Sequence, residues 1–115
     1  MSFNTALIEQ IKPVWACEPK NYTGAANTIK YASLKLYDRI LILIQTGAWA
    51  GGTAAVTLKQ ATEVAGTTNK ALAFSYVWVN TAGAPDTFTK TTVTSNTFNL
   101  DTANLLYVIE VVASD

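Results

Sequence analysis

Few side chains in this 115-residue sequence are of the types that carry chemistry, and their surroundings restrict what they can do. Histidine is absent, which removes the usual proton carrier near neutral pH, the commonest metal ligand and every triad built on an imidazole. The one cysteine, Cys17, is followed by Glu18, whose charge opposes the thiolate that a nucleophile needs. A single cysteine can form neither an internal disulfide nor a structural zinc site, so an inert thiol is expected. The carboxylates Glu9, Glu18, Asp38, Glu63, Asp86, Asp101, Glu110 and Asp115 offer a glycosidase-like pair only in principle. Most of them flank expected turns or ends, where solvation and capping account for them. Residues 47–53 are glycine-rich but lack the Gly-Lys-Ser/Thr ending with which a phosphate cradle reaches phosphate and magnesium. No run of alternating aspartates closed by glycine is present to wrap calcium. The reading from residue types is a non-enzymatic chain with no cofactor and no metal.

What remains is binding, and the composition narrows the partner. Eight basic and eight acidic residues balance and are scattered singly, so no basic track for a phosphate backbone is visible and direct nucleic-acid binding is not expected. The longest apolar run, residues 40–44, is far short of the roughly 20 residues that cross a bilayer, so no membrane partner is expected either. The opening residues Met1, Ser2, Phe3, Asn4 and Thr5 do not read as a secretory signal, which calls for a basic stretch followed by an apolar one. With half of its residues hydrophobic, a chain of this length can build one core without disulfides.

The elements that position the binding groups are strands. From about Leu34 onward Thr, Val, Ile, Tyr, Phe and Trp dominate, the types that suit a pleated sheet. Residues 38–46 are apolar on both alternating faces and predict a central strand covered on both sides. Residues 54–61 alternate Val56 and Leu58 with Thr57 and Lys59, which predicts one wet face. After a turn at Gly66 to Asn69, Leu72, Phe74, Tyr76 and Trp78 share one face of a long strand and Val77 and Val79 the other, with Trp78 expected in the core. Further strands are predicted over 88–93, 97–100 and 105–113, with a bend at Ser95 and Asn96 and a turn at 101–104. The last places Tyr107, Ile109 and Val111 on one face and Leu106, Val108, Glu110 and Val112 on the other, so that Glu110 needs a partner or a wet edge. Short strands at this spacing, with no helical interludes, predict an all-β fold, an antiparallel β-sandwich of jelly-roll-like type over 31–115.

Residues 1–30 differ. Pro13, Pro19, Gly24 and a polar stretch break any period, and they read as an N-terminal arm in which Asn4 caps a short helix bearing Leu7, Ile8 and Ile11, or an extended edge segment. Either form leaves apolar groups seeking a surface. Trp15 in the arm has too few local neighbours to bury an indole alone, and Trp49, in the glycine-rich loop, either folds back or docks on a neighbour. The candidate interface residues are therefore Leu7, Ile8, Ile11, Trp15, Tyr22 and Trp49.

Four segments, YASLKLYDRI at 31–40, QTGAWAGGTAAVTLKQA at 45–61, KALAF at 70–74 and SNTFNL at 95–100, together resemble a family of small structural, head decoration-like proteins of tailed bacteriophages and prophages. The resemblance covers roughly residues 31–112 and lies in strands and turns. It implies a virion protein on the phage head surface, made in the host cytoplasm. Its partners would be the major capsid protein, further copies of itself, or both, as a homo-oligomer in the assembled particle. Two other readings stand beside it: a tail or neck structural protein, and a carbohydrate-binding β-sandwich module that stacks sugars on Trp49, Tyr22 or Tyr31.

Overall fold

Alternating apolar residues become strands through most of the region where the pattern occurs, and the departures are informative. The computed structural model describes residues 11–17, 30–34 and 37–112. The chain divides into two units, Met1–Ala32 and Ser33–Asp115. In the first, residues 11–17 are all exposed and the Lys30 N–H donates to the Ala16 carbonyl at 3.2 Å. The short helix expected at Leu7 and Ile8 lies outside the described residues, as does Tyr22.

The second unit is all-β, with antiparallel sheets and no helix among the described residues. Its strands are β1 (Arg39–Gln45), β2 (Ala54–Thr57), β3 (Lys59–Ala61), β4 (Asn69–Ala71), β5 (Tyr76–Thr81), β6 (Ala84–Thr92), β7 (Thr97–Leu100) and β8 (Leu105–Val112). A four-stranded main sheet has the order β1-β8-β5-β6, and β2 pairs with β7 and β3 with β4. The expected strand over 54–61 is thus two strands with different partners. Leu58 is the junction: its N–H donates to the Asn96 carbonyl at 2.9 Å, while its own carbonyl accepts from Leu72 N–H at 3.1 Å and Asn96 Nδ2 at 2.8 Å. Every backbone polar group at the switch is satisfied, which allows the chain to change partners there.

The core lies on one face of the main sheet. Val77 from β5 and Tyr107, Ile109 and Val111 from β8 are buried there, with Ile40, Ile42 and Ile44 of β1 packed against them. Leu100 and Phe98 of β7 close over this face. Phe98 lies 5.6 Å from Tyr107 and meets Phe74 edge to face, centroids 6.0 Å apart. Edge-to-face geometry places a ring's positive rim on its neighbour's negative face.

Two buried polar side chains tie the ends of the strands. Thr46 Oγ1 accepts from the Leu105 N–H at 2.9 Å and lies 2.9 Å from the Thr102 carbonyl, closing β1 onto the start of β8. Asn80 Nδ2 donates to the Pro85 carbonyl at 2.6 Å, across the irregularity between Asn80 and Thr81 where β5 turns into β6. The turn before β8 is made at Asn104, with φ of 58°, a left-handed conformation that asparagine tolerates better than most residues.

Two expectations are corrected by this arrangement. β1 is the end strand of the main sheet, not a central strand covered on both sides, because Leu41 and Leu43 on its second face are 57% and 66% exposed. The long strand expected over 71–79 begins only at Tyr76. Ser75 is a bend between the Phe74 N–H, which donates to Ser95 at 3.1 Å, and Ser75's own carbonyl, which accepts from Val93 at 2.8 Å. The bend reverses the parity of the alternation, so Phe74 and Val77 both point into the core while Tyr76 and Trp78 point out.

Candidate functional site

The second face of the main sheet carries the residues that folding leaves unused. Cα partners run straight across it from Leu43 to Val108, from Val108 to Trp78 and from Trp78 to Lys90. At about 4.8 Å per inter-strand step, this row is about 14 Å long. On one side of it stand Leu41 and Tyr76, and on the other Leu106 and Phe88, which flank Asn80. Leu41, Leu43, Tyr76, Trp78 and Phe88 are exposed, and Val108 and Leu106 are half-buried. Expected as a core residue, Trp78 is instead 39% exposed near the centre of this face.

Charge on this face is sparse: Glu110 of the central strand β8 stands opposite Leu41, and Lys90 ends the row on β6. The Lys90 ammonium stands 3.7 Å from the centroid of the Tyr76 ring and 5.5 Å from that of Trp78. A cation over a ring face is held there by the ring quadrupole, by about 0.5–1 kcal/mol at exposed sites. Arg39 and Glu110 approach to 3.7 Å at the opposite corner, an exposed pair of small energetic weight. This gives Glu110 the partner its position in the alternation required. A largely aromatic and aliphatic exposed surface with few charges is the composition of a protein-binding patch.

No protein family, curated sequence or solved structure matches the chain.

Of the candidate interface residues proposed from sequence, Ile11, Trp15 and Trp49 are among the described residues, and they belong to different units. Trp15 is 72% exposed and Ile11 is also exposed, both in the first unit. Trp49 belongs to the second unit and folds back: it is half-buried against the core, and its Nε1–H donates to the Gly52 carbonyl at 3.0 Å. Gly52 has a φ of 80°, which a side-chain-bearing residue would adopt only under strain. The glycine-rich loop therefore serves to seat an indole. Cys17 is exposed.

Sequence reasoning did not single out Leu41, Leu43, Tyr76, Trp78, Phe88, Lys90 or Val108 as a surface. The signal was present in the two-sided apolar pattern of residues 39–45, which calls for cover on both faces.

A concavity of about 430 Å³ opens on the core side between β6 and β7, lined by Val77, Val79, Thr91, Phe98, Asn99 and Tyr107 among others. Its one ionisable group is the Tyr107 phenol, which burial, and to a lesser degree the charge of Asp101, pushes above the ordinary tyrosine value. A phenol that holds its proton more tightly than usual is a poor base at neutral pH. Among the described residues, no three of His, Cys, Asp or Glu gather as a metal site would need.

Proposed function

We propose that the chain is a non-enzymatic virion structural protein, a capsid decoration or cement protein that binds and stabilises the assembled head of a tailed phage. In this reading the second unit is an antiparallel β-sandwich of jelly-roll-like type. The observation that carries it is the outer face of the main sheet, where Leu43, Val108 and Trp78 form a continuous apolar row on which no second layer packs among the described residues. A small domain that keeps such a row exposed gains by burying it on a neighbour. The mechanism is mass action: a protein that binds only the assembled shell stabilises that shell, and symmetry repeats the contact around it. Residues 1–30 supply a second contact in this proposal, through Leu7, Ile8, Ile11, Trp15 and Tyr22, of which Ile11 and Trp15 are exposed.

The test is to mix the purified chain with undecorated heads and count bound copies by mass. Saturation at hundreds of copies, lowered by Trp78→Ala and by deletion of residues 1–30, supports the reading. A dozen or fewer copies per particle would move the protein to the tail or neck, and no binding would remove it from the particle.

One observation favours a carbohydrate-binding module as the second reading: Tyr76 and Trp78 form an exposed aromatic pair of the kind on which sugars stack. Against it, the Lys90 ammonium already covers the Tyr76 ring. Glycan binding that strengthens in Lys90→Ala and disappears in Trp78→Ala would support this alternative.

A further inference from the structure

Both outer strands of the main sheet present a free hydrogen-bonding edge among the described residues, and the two edges are built differently. β6 is exposed along its whole length and carries Pro85, Asp86 and Lys90, the proline and charges that discourage pairing with another chain. β1 has none of these devices between its ends: Ile40 to Ile44 is uncharged and free of proline, and Leu41 and Leu43 stand exposed beside the edge. A long apolar edge strand of this kind is a template for a further strand.

The sequence of β1 indicates which strand. Arg39-Ile40-Leu41-Ile42-Leu43-Ile44-Gln45 reads almost the same in both directions about Ile42. We propose that two copies of the chain pair antiparallel through β1, centred on Ile42, to form one continuous sheet of twice the width. In this register Leu41 lies opposite Leu43 of the second copy and Leu43 opposite its Leu41, both on the outer face. Ile40 and Ile44 oppose each other in the same way on the core side. Arg39 meets the uncharged amide of Gln45, so no like charges are opposed.

Neighbouring registers are worse. A shift of one residue sets outer-face side chains against inner-face ones, which the pleat forbids. A shift of two sets Leu43 against Arg39 or Leu41 against Gln45 and leaves part of each strand unpaired. The interface is isologous, as a two-fold pair requires. It also aligns the two outer apolar faces side by side. The pairing is a property of the free protein and does not depend on the virion reading.

The experiment is sedimentation of the full chain over about 1 µM to about 1 mM, the range in which weak specific pairs assemble. Three proteins are compared: wild type, L41K/L43K and L41K/L43E. Both substituted positions are exposed, so the fold is retained, which cooperative thermal melting checks. Wild type is expected to form dimers. L41K/L43K places lysines opposite lysines and is expected to raise the dissociation constant at least about tenfold. L41K/L43E places lysine opposite glutamate at both positions and is expected to restore the pair. As a measurement free of any variant, amide exchange in β1 of the wild type is expected to slow as concentration rises while exchange in β6 does not. A wild type that stays monomeric throughout overturns the proposal, as does a dimer that L41K/L43K leaves intact. Loss of the dimer in both variants overturns the register centred on Ile42.

Discussion

The two faces of the main sheet are made of similar residues and serve different ends. On the inner face Ile109 and Val77 are removed from water in a cluster with Leu100, with Ile42 and Phe98 packed half-buried against it; on the outer face Leu43 and Trp78 are exposed and Val108 is half-buried, and no second layer covers them among the described residues. Burial of apolar area contributes to folding only where a covering layer exists. The outer residues therefore add little to the stability of the free chain, and their apolar character points to a contact between molecules.

The contrast can be broken by paired substitutions. Ile109→Ala removes a fully buried side chain and is expected to cost about 2–5 kcal/mol in chemical denaturation, whereas Leu43→Ala on the opposite face should stay within about 0.5 kcal/mol. Equal losses would mean that the outer face is covered after all.

Next in size are the buried polar ties. Thr46→Val and Asn80→Ala each remove a buried side chain's hydrogen bond to a backbone group, an expected loss of about 0.5–1.5 kcal/mol in the same measurement. Trp78→Ala should cost under about 1 kcal/mol of stability, the scale of a cross-strand pair, while lowering occupancy on heads. Near-normal occupancy would separate the apolar face from the proposed partner.

The smallest effects concern pH, and they have opposite signs. The Tyr107 phenol is raised above the ordinary 10.0, so its contribution is complete below that pH and is lost as pH rises through the folded value. Alkaline melting curves should show this loss, and Tyr107→Phe should flatten it. Glu63 is lowered from the ordinary 4.5, chiefly because the Thr68 N–H donates to it, with the Thr62 hydroxyl second. Its contribution is present above 4.5 and lost as pH falls through the folded value, and Glu63→Gln should remove that acid response from the turn between β3 and β4.

The inferred function rests on what the alternation pattern does and does not contain. The all-β class, the turns at Gly66 and Asn104, the bend near Ser95 and the two faces of β8 were legible from residue types, because turn chemistry and period-two patterning are local properties. The place of β1 at the end of the sheet, the change of partner at Leu58 and the outward position of Trp78 were not. Each depends on which strands lie beside and above a segment, and a single bend at Ser75 moves the side chains of β5 to the other face. Patterning alone therefore established that this chain forms sheets with apolar residues on both sides. Only the tertiary structure decided which side is covered, since cover is supplied by segments far away in the chain, and from that came the candidate binding face.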